Sequence, residues 1–95
     1  MLVQKNMCSD IDVHIGKRLR ARRRQLGLTQ IELAAKVCVR FQQIQKYECA
    51  DNRISAARLW QLAVALDVDM NYFYSGLPRD LEQLAIEPES KLAKA

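Results

Sequence analysis

The stretch from Leu28 to Asn52, LTQIELAAKVCVRFQQIQKYECADN, constrains this chain most. It reads as two short helices joined by a tight turn. Thr29 opens the first, and Glu32 stands three residues on, the T-x-x-E pattern of a capping box. Leu33, Ala34 and Val37 form its apolar stripe, with Ala34 small enough for a close helix crossing. After a turn at Cys38-Val39, a second helix over about Arg40 to Cys49 splits its residues between two arcs. At roughly 100° per residue, Ile44, Tyr47 and Glu48 share one arc, and Gln42, Gln45, Lys46 and Cys49 share the other. A helix anchored along its back that offers amides and a lysine to water is suited to reading base edges. Glutamine pairs bidentately with adenine, and lysine donates to guanine acceptors in the major groove. A merely solvated helix face has the same composition, so this arc alone does not decide.

Charge adds weight to the nucleic-acid reading. The net charge of +4 hides an asymmetry. From Val13 to Arg58 eleven lysines and arginines face three acids, a local +8, whereas the chain from Asp67 onward carries a local −3. Concentrated basic charge in a small domain is the electrostatic footprint of a polyanion binder. The basic segment lacks the broad apolar face with aromatic anchors that a membrane surface would select.

Ninety-five residues with two prolines and three glycines suit one helical domain. Residues 1–11 show no periodicity and read as a flexible arm. Asp12 is a candidate N-cap for a helix over about Val13 to Leu26, with Ile15, Leu19 and Leu26 toward the core. Six of the eight residues from Lys17 to Arg24 are basic, and Arg23 falls on the inward stripe, where an unpaired charge is costly. Gly27 stops that helix. Ser55 caps a further helix to about Leu66, with Leu59, Leu62, Ala63 and Leu66 on one stripe, and Met70 to Ser75 adds one or two turns. The expectation is an all-α, five-helix domain over residues 12–78. A tail over residues 79–95 follows, with a short helix near Leu81 to Ile86.

Several chemistries find no support in the residues. No run of about 18 apolar residues exists, and the N-terminus lacks the basic-then-apolar layout of a signal peptide. Cys8, Cys38 and Cys49 are odd in number and show no CxxC spacing, so neither disulfides nor a metal site is expected, and the cytoplasm is the default compartment. One histidine, no phosphate-cradling glycine loop and no nucleophile–base set argue against an enzyme. No cofactor and no small-molecule ligand are expected.

The runs GKRLRARRRQLGLTQIELAAKV, VRFQQIQKYE and RLWQLAVALDV together resemble the phage-repressor-like helix-turn-helix family, the Cro and lambda-repressor or XRE type. FQQIQKYE, NRIS and YFYSG are most similar to its alphaproteobacterial members. The resemblance spans about Val13 to Gly76. It implies a compact five-helix domain that binds palindromic operator DNA as a homodimer, with the third helix in the major groove. On that basis Phe41, Gln42, Gln45 and Lys46 are the candidate base readers, Phe41 by apolar contact with a thymine methyl. Thr29, Gln30, Arg40, Asn52 and Arg53 are the candidate contacts to the DNA backbone, which set register and supply salt-dependent affinity. The family also implies a buried ion pair between Arg23 and Glu48, in keeping with their inward arcs.

Three positions depart from the family pattern. Cys38 stands at a turn position usually held by glycine, Arg40 where a serine commonly caps the recognition helix, and Ala50 where a glycine normally follows it. Cys38 and Cys49 bracket that helix; two unremarkable thiols and a redox switch are both readings of them. Trp60, Tyr72 and Tyr74 either line a subunit contact or cover the edge of the core. The leading function is a sequence-specific DNA-binding transcriptional regulator, a repressor that blocks its operator sterically on the bacterial nucleoid. The alternative is a protein-interaction module such as an antitoxin or adaptor.

Overall fold

The computed structural model describes residues 2–78, with side chains from residue 10 onward. The expected tail at 79–95 lies outside the described residues. Five helices make up the described chain: α1 (Leu2–Gln25), α2 (Gln30–Lys36), α3 (Phe41–Glu48), α4 (Ala56–Leu66) and α5 (Asn71–Tyr74). The all-α, five-helix architecture is as expected.

The helix starts follow from short polar side chains. At α2 the Thr29 hydroxyl accepts the Glu32 N–H at 3.0 Å, and the Glu32 carboxylate accepts the Thr29 N–H at 2.8 Å. This is the full capping box. Ser55 accepts the Arg58 N–H at 3.1 Å before α4, and Asp69 accepts the Asn71 N–H at 2.9 Å before α5. Arg40 precedes α3 without any side-chain cap, as the cationic side chain requires.

Four helices end by one device. After α1 the Leu28 N–H reaches the Arg23 carbonyl and the Gly27 N–H that of Arg24, both at 3.0 Å. The same nested bonds close α2 (Val39 to Ala34, Cys38 to Ala35), α3 (Asp51 to Lys46, Ala50 to Tyr47) and α4 (Val68 to Ala63, Asp67 to Val64). The turn demands one left-handed residue. Gly27 adopts φ 73° freely, but Cys38, Ala50 and Asp67 are held at 59°, 62° and 58° despite their Cβ atoms. Each such residue is strained by roughly 1–2 kcal/mol, partly offset by the greater unfolded-state freedom of glycine. Ala50→Gly is therefore expected to stabilise the domain by about 1 kcal/mol and raise its melting midpoint by about 4–8 °C. An unchanged or lower midpoint in a thermal melt contradicts the strain.

Two expectations at α1 need correction. The helix begins at Leu2 and not near Val13, so residues 2–11 are helical where an arm was expected. No glycine or proline interrupts residues 2–12, and extending a nucleated helix gains one hydrogen bond per residue fixed. Asp12 is accordingly inside the helix; its carboxylate caps nothing and pairs with Arg53 at 3.1 Å. Leu26, expected toward the core, is 42% exposed, because the chain has already left the helix and turns at Gly27.

Each helix contributes at least one side chain with no exposed surface: Leu19, Leu33, Ile44, Leu62 with Leu66, and Phe73. Ala34, Val37, Tyr47, Leu59 and Ala63 complete the core, and Ile15 and Leu28 pack on its edge. α2 and α1 both pack against α3, and α5 against α1. Gly16 makes the approach of α1 to α3 possible. A Cβ there would lie 2.7 Å from the backbone carbonyl oxygens of both Tyr47 and Glu48.

Candidate nucleic-acid interface

The back of α3 is fixed by Ile44, Tyr47 and Glu48, all buried. Glu48 is the keystone. Arg23 Nε and Nη2 donate to its two carboxylate oxygens at 2.6 and 3.0 Å, and Arg23 Nη1 donates to the Leu28 carbonyl at 2.7 Å. The Gln30 amide donates to Glu48 Oε1 at 3.0 Å. One carboxylate thus ties α1, the start of α2 and α3 together. A bidentate guanidinium–carboxylate pair is directional as well as strong, so it sets the rotation of α3 about its axis.

That rotation presents the opposite arc to solvent. Gln42, Gln45 and Lys46 are exposed, and Phe41 is 41% exposed at the helix start. These four candidate readers therefore share one accessible face. Arg40 lies exposed just before them, and Asn52 and Arg53 lie exposed just after. Thr29 is exposed at the start of α2, its hydroxyl oxygen already holding the cap. Gln30 stands apart from the other candidate backbone contacts, since it is half-buried and its amide serves Glu48. Arg53 keeps 71% of its side-chain surface exposed while pairing with Asp12.

The basic cluster of α1 is less available than its density suggests. Arg18 Nε donates to the Tyr72 carbonyl at 2.9 Å, with the guanidinium 3.8 Å from the Tyr72 ring centre, and the Tyr72 hydroxyl donates back to the Arg18 carbonyl at 3.0 Å. Arg22 Nε donates to the Leu66 carbonyl at 2.9 Å. Cations placed on helix-end carbonyls are favourable there. Arg18, Arg22 and Arg23 thus serve the fold, leaving Lys17, Arg20 and Arg24 exposed. Arg23 is set apart by its inward stripe, but nothing in the local sequence separates Arg18 and Arg22 from the exposed set, because their partners are carbonyls more than forty residues away. Tyr72 is committed to Arg18 at the edge of the core, whereas Trp60 and Tyr74 are 60% and 43% exposed.

Residues 19–73 match the family of helix-turn-helix domains. The chain belongs to that family, of the XRE type. It is a family of DNA-binding transcriptional regulators and not of enzymes. A transcriptional regulator from the ATPase CF(0) region of Rhodospirillum rubrum is 54% identical over 69 residues, covering 73% of this chain and 64% of that one. A helix-turn-helix transcriptional regulator of Sinorhizobium medicae is 40% identical over 80 residues, covering 84% and 58%. These relatives are alphaproteobacterial, as the FQQIQKYE and NRIS segments led us to expect. The chain thus spans about three-fifths of the length of such relatives. Among solved structures, the restriction-modification controller protein C.AhdI of Aeromonas hydrophila superposes with a TM-score of 0.64 at 30% identity, over 67% of this chain and 96% of that one. The clp gene regulator ClgR of C. glutamicum shares the fold, with a TM-score of 0.65 at 20% identity over 74% and 96%. No described helix is long and apolar enough to cross a membrane.

Proposed function

We propose that the protein is a cytoplasmic, sequence-specific binder of double-stranded operator DNA that regulates transcription, as a repressor, by occupying its site as a homodimer. The observation that carries this reading is the exposed Phe41, Gln42, Gln45 and Lys46 face of α3, held in a fixed rotation by the buried Arg23–Glu48 pair. In the major groove, the amides and Lys46 read base edges and Phe41 packs on a thymine methyl. Arg40, Asn52 and Arg53, at the two ends of α3, contact phosphates on either side, and Thr29 and Gln30 approach the backbone from the start of α2. The DNA-binding unit is residues 12–78. For a two-fold pair of copies, Trp60 on α4 and Tyr74 on α5 are the exposed aromatic side chains; Tyr72 is taken up by Arg18.

Two substitutions separate reading from positioning. Lys46→Ala is expected to change the preferred bases at one or two positions, with discrimination falling by about 1–3 kcal/mol. Arg53→Ala is expected to weaken binding to all sequences alike and to make the salt dependence shallower by about one phosphate. Affinities measured on a panel of single-base variants of the site check both. A Lys46→Ala protein with an unaltered profile, or a base-selective loss in Arg53→Ala, contradicts the respective assignment.

A further inference from the structure

A groove runs beside α3 toward the start of α4, lined by Arg40, Gln42, Gln43, Lys46, Tyr47 and Arg58, and no carboxylate lines it. Arg58 has no place among the base-reading or backbone residues assigned above. It sits in the first turn of α4, half-buried, and its Nη1 donates to the Val37 carbonyl at 3.0 Å and to Gln61 Oε1 at 2.8 Å. Both partners are neutral, so its charge is not offset. Its Nε and Nη2 make no hydrogen bond among the described residues, and a guanidinium offers five donors in a rigid fork. Arg23 faces a carboxylate and the exposed Arg53 pairs with Asp12. Arg18 and Arg22, like Arg58, bond only neutral oxygens, but neither lines the groove beside α3. Arg40 and Lys46 take part in neither ion pair of the described residues.

We infer that Arg58, with Arg40, forms a phosphodiester-binding subsite on the α4 side of the recognition helix, next to the base-reading Lys46. This rests on the DNA-binding reading and adds a residue and a strand to it. A helix lying in a major groove about 12 Å wide has a phosphate chain on each flank. Gln30 at the start of α2 meets α3 at Glu48, whereas the groove with Arg58 meets it at Gln43 and Lys46; at roughly 100° per residue Glu48 and Gln43 lie on different sides of the reading face. The bonds to Val37 and Gln61 hold the guanidinium in place before DNA arrives, so little side-chain freedom is lost when a phosphate oxygen docks on its free edge. Because the Val37 carbonyl belongs to the turn between α2 and α3, Arg58 also couples that turn to the DNA backbone.

The test is the slope of log affinity against log salt for duplex DNA, measured with the whole chain. Arg58→Gln is expected to make the slope shallower by about 0.9, one phosphate's worth, and to weaken binding to all sequences alike with the order of base preference kept. Arg58→Lys, which keeps the charge, should restore most of the slope. Gln61→Ala, which removes a holding bond and no charge, should leave it at the wild-type value. Thermal melts of each variant establish that it is folded. A wild-type slope in folded Arg58→Gln, or a loss at one base position only, overturns the assignment of Arg58. A wild-type protein with no salt-dependent duplex binding overturns the DNA reading itself, a distinct outcome.

Discussion

Glu48→Ala is expected to destabilise the domain by about 3–5 kcal/mol, the largest effect of any single truncation on the face behind the recognition helix. The carboxylate receives Arg23 through two bonds and Gln30 through a third, with both ion-pair side chains almost wholly shielded from water. Removing it strands a buried guanidinium and an amide together. Small domains have only about 5–15 kcal/mol of stability, so a large part is lost. At about 4–8 °C per kcal/mol, the melting midpoint should fall by more than about 12 °C. Arg23→Met should behave similarly. The double variant Arg23→Met, Glu48→Leu should be less destabilised than the two single changes added together, because no buried charge is left unpaired. Strict additivity in that cycle would show that the pair is not coupled as the geometry requires.

Gly16→Ala is the second large effect, and its sign runs against propensity. Alanine in place of a mid-helix glycine ordinarily stabilises by about 0.5–1 kcal/mol. Here the new methyl group would sit 2.7 Å from two backbone carbonyl oxygens at the end of α3. Backbone atoms cannot rotate aside, so α1 must move away from α3, straining the Arg23–Glu48 pair that spans the same gap. A net loss of about 1–3 kcal/mol is expected, as for other overpacked sites. Binding should weaken as well, because the rotation of α3 is set from behind. Chemical denaturation with urea checks this; a gain in stability would mean that the two helices are not in close approach at Gly16.

Local signals made much of the fold legible in the sequence. The T-x-x-E box, the two arcs of α3 and the stripe on α4 are short-range patterns that encode which side of each helix is buried. Arg23 was legible too, since a charge on an apolar stripe demands a partner, and the family pattern supplied Glu48. Non-glycine residues at Cys38 and Ala50 signalled strained turns, and both adopt positive φ. The remainder depends on contacts distant in sequence. Gly16 carries no pattern of its own until the end of α3 is laid against it. Gln30 looks like any polar residue in a first helical turn until Glu48 draws it inward. Arg18, Arg22 and Arg58 are indistinguishable from solvated basic residues until the carbonyls of Tyr72, Leu66 and Val37 come to meet them. The extent of α1 is not legible for another reason: an absence of breakers is a weaker signal than the presence of a cap, and Asp12 has the chemistry of one.

The central claim is that the exposed face of α3 reads DNA sequence. Its most direct test is selection of binding sites from random duplex DNA at near-physiological salt with the purified protein. Enrichment of a palindromic motif with half-sites about one helical turn apart is expected, with that enrichment lost when Gln42 and Lys46 are both replaced by alanine. No enrichment from the unmodified protein, or an unchanged motif from the double variant, would contradict it.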